Sequence, residues 1–229
     1  MTDKNGSSTL FIIDSLSKHF AEHLLTIDKT IAPVISQALW QDVANHYSEP
    51  VRAYHNLTHL QQLFEHFEQI ECDLRQPSIV ALALFYHDII YDPTKPDNEL
   101  QSAKYAVAQL QDYLAVEQCK RIYELIMMTA KHQLNEIADL DAAYLLDMDL
   151  SILGVDWASY KRYAQTVRHE YAHVATDDYR RGRINVLKGL LAHDRLYLTK
   201  NYYERLEQQA RDNIEREIKL LQLSQSITH

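Results

Sequence analysis

Three short stretches hold the side chains best suited to chemistry: Tyr54-His55-Asn56-Leu57-Thr58-His59, His87-Asp88 and Asp147-Met148-Asp149-Leu150. Imidazole nitrogens and carboxylate oxygens together suit a borderline or hard divalent cation. His55 and His59 stand four residues apart, so on one helix they share a face. There they can hold an ion jointly, or one can bind while the other serves as acid. His87 and Asp88 can reach one ion from a single backbone segment. They close an apolar run, where a buried unpartnered carboxylate is costly and a cation is one remedy. Asp147 and Asp149 are two apart and point to different sides of a helix, so only one of them faces a common site. The competing role for this pair is helix capping by Asp149 or Ser151.

Two internal controls limit what each piece says alone. Twelve histidines in 229 residues produce such pairs by chance. His19/His23 is another, without an acidic pattern nearby, and reads as structural. His193-Asp194 repeats the dipeptide without a following Asp-Leu pair, before a basic, tyrosine-containing segment, and also reads as structural. The order of the three stretches carries the weight.

The elements that must position these residues read as helices. Leu57, Leu60, Leu63, Phe64, Phe67 and Ile70 form one helical stripe. Ser78 to Ile90 is almost continuously apolar after Pro77, which predicts a buried central helix. The prolines of Asp92-Pro93-Thr94-Lys95-Pro96-Asp97 predict a loop. Further helices are expected over Leu10–Leu25, Pro33–Tyr47, Glu99–Leu114, Val116–Thr129, Asp141–Leu146, Trp157–Val174, Asp178–Ala192 and Asn201–Leu223, with fraying at residues 1–8 and 224–229. No alternating stretch competes, and Gly (4) and Pro (5) are scarce. The fold class expected is all-α, a multi-helix bundle in one domain over 1–229, with its core at about 51–197.

Composition excludes some functions. Net charge is −9, from 23 Lys+Arg against 32 Asp+Glu, with no basic stripe, so a large nucleic acid is not an expected partner. A small phosphorylated substrate is compatible, because a bound cation reverses the local field. The apolar run Leu10–Ile13 is too short for a signal or a span, so no membrane association is expected. Cys72 and Cys119 have no disulfide or CxxC pattern. They read as buried, reduced thiols of a cytoplasmic protein.

The ordered set His, His-Asp, Asp on helices resembles the HD-domain superfamily of metal-dependent phosphohydrolases. Tyr54-His55-Asn56-Leu57-Thr58-His59 is also similar to the YHNxxH segment of cyclic-nucleotide phosphodiesterases, and Asp149-Leu150-Ser151 to their later Asp-Leu-Ser. A group of small bacterial HD proteins offers the fullest similarity, over Val51 to Tyr197. The shared features are Tyr86-His87-Asp88 with Tyr91, Asn98-Glu99 with Ser102-Ala103, Asp147 to Gly154, and Arg168 with Glu170-Tyr171.

The resemblance implies that His59, His87, Asp88 and Asp149 ligate a divalent metal (Mn, Mg, Fe, Co, Ni or Zn). It makes His55 the acid for the leaving oxygen and Asp88 the partner of the attacking water, with Asp147 orienting a ligand or water. His132 matches a further site histidine or is an exposed helix end. Lys131 and Arg168 are phosphate contacts or surface ion pairs. Asn98, Glu99 and Ser102 cap a helix, hold a phosphate, or both, with the cap favoured. The activity implied is hydrolysis of a small phosphorylated metabolite, a nucleotide being the favoured class. The alternatives are a non-catalytic metal-containing HD module binding a nucleotide or protein partner, and an oxygenase, which would need extra ligands that only His132 could begin to supply. The phosphodiesterases' substrate glutamine and aromatic clamp have no counterpart. A homo-oligomer is an open alternative.

Overall fold

The computed structural model describes residues 4–136 and 138–223, with side chains from Thr9 onward. Ten α-helices and no strand occur among them, so the chain is all-α as expected. Contacts cluster into two units, Met1–Leu145 and Leu146–His229.

The first unit is built around an apolar helix. α1 (Lys4–Ile27), α2 (Pro33–Tyr47), α3 (Leu57–Ile70), α4 (Pro77–Tyr86), α5 (Asn98–Leu110) and α6 (Val116–Thr129) follow in order. Every residue of α4 from Ser78 to Tyr86 is buried, which a helix without a polar face requires. It packs against α1, α3, α5 and α6. Phe20, Trp40, Phe64, Phe67 and Phe85 form the aromatic heart beside it. Proline opens both α2 and α4 in the first turn, where a missing N–H costs nothing.

α7 (Leu140–Asp149) begins in this unit and contains the boundary. The buried Asp141 carboxylate accepts from the amides of Arg75 and Gln76, at 2.8 and 3.0 Å, just before α4. The second unit continues with the 3-10 turn Leu150–Gly154, α8 (Trp157–Glu170), α9 (Thr176–Leu191) and α10 (Lys200–Leu223). α10 buries three polar residues, each with partners. Glu207 accepts from the amides of Leu196 and Tyr197, Asn213 donates to the carbonyls of Leu153 and Val155, and Glu217 takes Tyr160 and Arg183.

Several expectations shift for local reasons. α4 stops at Tyr86 rather than Ile90. The carbonyls of Asp88 and Ile89 are taken by Arg52, and the Ile90 amide by Ser102 Oγ. α8 stops at Glu170 rather than Val174, because Arg168 donates to the carbonyls of Tyr171 and Val174. α7 is longer than expected and includes both aspartates. Lys4 to Ser8 are helical rather than frayed; residues 1–3 and 224–229 lie outside the described residues. Cys119 is buried but Cys72 is exposed, in the 3-10 turn Glu71–Asp73 beyond the α3 stripe.

Two stability predictions follow. A Cβ on Gly154 would sit 2.6 Å from Leu206 Cβ and 3.0 Å from Tyr197 Oη. Gly154→Ala therefore costs about 1–3 kcal/mol by overpacking, read as a shift in the urea midpoint. His23 is buried, with Nδ1 3.4 Å from Ser78 Oγ and its ring edge-on to Phe67. Burial lowers its pKa, against a smaller opposing pull from Glu22. The folded state then binds fewer protons than the unfolded chain, so its stabilisation is complete above roughly 6.5 and is lost as pH falls below that toward the lowered value of the folded state. Melts from pH 8 to pH 5 should fall less steeply for His23→Gln than for the wild type.

Candidate metal centre

The N-terminus of α3 brings the first histidines into place. Asn56 caps it, its Oδ1 accepting from the amides of Thr58 and His59, at 2.9 and 3.4 Å, a preferred role for this residue type. His59 thus lies in the first turn of the helix. His55 precedes the cap and does not share a helical face with it, which corrects the reading of an i,i+4 pair. The two rings still lie 5.9 Å apart, because the chain folds back before the cap.

His87 and Asp88 follow the last turn of α4 rather than ending the helix proper. His87 Nδ1 lies 2.8 Å from the Leu84 carbonyl, to which it donates. In the neutral ring this leaves Nε2 as a lone pair. That Nε2 faces His59 Nε2 at 3.5 Å and Asp88 Oδ2 at 3.1 Å. His87 Nε2 thus stands between the His59 ring and the Asp88 carboxylate, where His59 is 3% and His87 is 1% exposed.

The donor set fits a divalent ion in type and spacing. Two donors each about 2.0–2.1 Å from one tetrahedral ion lie roughly 3.3 Å apart, and the two separations bracket that value. The Leu84 carbonyl supplies the outer partner that fixes a ligating imidazole. His59 and His87 each offer a donor atom close enough to share one metal ion.

His55 and Asp88 form the more open edge. Their side chains are 22% and 16% exposed, with His55 Nε2 3.9 Å from Asp88 Oδ2. Tyr54 and Tyr91 flank His55, with ring centroids at 4.9 and 4.4 Å. A ligand reaching the cluster therefore meets His55 and Asp88 before the two deeper histidines.

Arg52 and Tyr47 were not legible as site residues. Arg52 donates from Nη1 to the carbonyls of Asp88 and His55, at 2.6 and 3.2 Å, and from Nη2 to that of Ile89, at 2.7 Å. Its only signal in sequence was an arginine next to the Tyr-His motif. The Tyr47 hydroxyl accepts from the Asp88 amide at 3.3 Å. Burial pushes its pKa up to about 12, so it is a neutral anchor.

The remaining candidates divide. Ser102 Oγ donates to the Ile90 carbonyl and accepts from its amide, at 3.2 and 3.0 Å. Asn98 donates to the carbonyl of Asp92 and accepts from its amide, both at 3.0 Å. These two hold the loop after His87-Asp88 rather than capping α5, whose cap position, Asp97, makes no side-chain cap. Glu99 is half-buried in the first turn of α5. Lys131 is exposed, and His132 is half-buried with φ 48°, a left-handed turn after α6. Arg168, in the second unit, is engaged by the carbonyls that end α8 and lies over the Tyr179 ring.

Asp147 is fully buried and accepts from the Leu198 and Thr199 amides, at 2.7 and 2.8 Å, and from Thr199 Oγ1 at 2.6 Å. Burial raises its pKa to about 6, against the pull of those three bonds. Its oxygens are thus engaged by the segment before α10. Asp149 ends α7 half-buried and makes no capping bond to the turn that follows. The controls stand apart: His19 pairs with Glu68 at 2.9 Å, and the backbone carbonyls of His193 and Asp194 accept from Arg211.

Comparison of the chain with protein-family models, with curated proteins and with solved structures finds no match. No described helix is long and apolar enough to cross a membrane.

Proposed function

We propose that the chain is an HD-type metal-dependent phosphohydrolase of the cytoplasm, acting on a small phosphorylated metabolite, with a nucleotide as the favoured class. The observation that carries this reading is His87 Nε2 facing both His59 Nε2, at 3.5 Å, and Asp88 Oδ2, at 3.1 Å, beside an accessible histidine. His59, His87, Asp88 and Asp149 would hold the ion. A divalent ion supplies Lewis acidity toward a phosphoryl oxygen and activates water at neutral pH.

The chain's own groups supply the proton traffic. Asp88 Oδ2 accepts the proton of the attacking water as the new P–O bond forms. His55 Nε2, as imidazolium, gives its proton to the ester oxygen as the old P–O bond breaks. An imidazole titrates near neutrality and suits that task. The Arg52 guanidinium and the Tyr47 hydroxyl keep the Asp88 backbone fixed while this occurs.

The test is a chelated sample reloaded with Mn²⁺, Mg²⁺, Fe²⁺, Co²⁺, Ni²⁺ or Zn²⁺ and offered a panel of nucleotides and sugar phosphates, with phosphate release measured. Cation-dependent release supports the proposal. Cation bound without release across the panel would leave a binding module instead.

A further inference from the structure

Arg52 is an unusual residue to bury. Its side chain has no exposed surface, and its one ion-pair partner, Glu49, is 43% exposed, with Nε donating to Glu49 Oε2 at 3.1 Å. A buried guanidinium is tolerated only when its donors are satisfied. Four hydrogen bonds meet this one: Glu49 Oε2 and the carbonyls of His55, Asp88 and Ile89. The Tyr47 and Tyr91 rings lie 5.0 and 5.5 Å from the guanidinium carbon.

Those carbonyls belong to two chain segments, one carrying His55 and the other Asp88, the latter 36 residues along the chain from Arg52. Nη1 bonds to both at once. One rigid planar group therefore ties the backbone of the histidine to that of the aspartate. Lysine cannot reproduce this, because an ammonium is a compact point charge on a flexible stem, without two edges to present.

We propose that Arg52 is the positioning residue that sets His55 against Asp88, acting through their backbones and not by touching substrate. This rests on the metal-centre reading for what the pair does, but the positioning itself can be measured without a cation. An apolar residue of similar volume would fill the space and leave three carbonyls unmet, whereas the fork satisfies them and fixes the turn in which α4 ends.

The experiment uses the full chain by NMR, first without a cation. In the wild type, the Arg52 Nη–H signals should be resolved and protected from solvent exchange. An averaged, rapidly exchanging guanidinium would overturn the proposal, whatever the variants do. In Arg52→Lys and Arg52→Gln, the His55 ring signals and the Asp88 amide should move while the far-ultraviolet dichroism stays native. A Co²⁺ titration should then show affinity reduced tenfold or more, the range for loss of an outer partner. A folded variant with unmoved His55 signals means that Arg52 only stabilises the fold, and the proposal fails. If the wild type itself binds neither Co²⁺ nor Mn²⁺, the metal reading fails, and the His55 signals alone decide the positioning role.

Discussion

His87→Ala is expected to abolish divalent-cation binding and, with it, phosphate release. His87 Nε2 is the shared vertex of the cluster: it faces His59 at 3.5 Å and Asp88 at 3.1 Å. Removing it leaves His59 and Asp88 without their common neighbour. The Leu84 carbonyl loses its partner too. Losing an outer partner typically reduces metal affinity 10–100-fold, and losing a ligand exceeds that, so cation binding should weaken more than a hundredfold. The cavity left at the end of α4 also costs stability, so the comparison needs a melt beside the titration. His55→Ala provides the contrast. If His55 is the acid, that variant keeps its cation and loses turnover. A His87→Ala protein that retained full cation-dependent turnover would end the proposal.

Much of this arrangement was legible in sequence, for identifiable reasons. The α3 stripe and the apolar α4 announce themselves because burial of one face, or of all faces, leaves a periodic record. The bounds of α2 and α6 follow from that record almost to the residue. His59 and His87 stood out in sequence because residue types able to bind a metal are few. What sequence could not reveal was the capture of backbone groups by side chains. Arg52 ends α4 early, Arg168 ends α8 early, and Asn56 turns His55 out of the helix that His59 begins. Each is a side chain hydrogen-bonding to main chain, and such bonds have no periodicity. Ser102 and Asn98 illustrate the same point. Their types fitted a helix cap equally well, yet they hold the loop that follows Asp88.

Asp147 and Asp149, two residues apart with similar surroundings in sequence, should separate cleanly by readout. Asp147→Ala removes the acceptor of three hydrogen bonds and leaves the Leu198 and Thr199 amides and the Thr199 hydroxyl without it. Each unmet buried donor costs about 1–3 kcal/mol. The rotatable hydroxyl can seek another acceptor, but the two amides cannot. A loss of about 3 kcal/mol or more is therefore expected, equivalent to roughly 6–12 °C in melting temperature for a chain of this size. The effect should spread to α10, since Thr199 stands immediately before its first residue and its carbonyl accepts from the Tyr203 amide. Asp147→Asn keeps one acceptor oxygen but turns an NH₂ toward a donor, so it should fall between the alanine variant and the wild type. Asp149→Asn should show the opposite pattern, with its larger effect on the Co²⁺ titration and its smaller one on the melt. If Asp147→Ala melted like the wild type and lost the cation instead, the roles of the two aspartates would have to be exchanged.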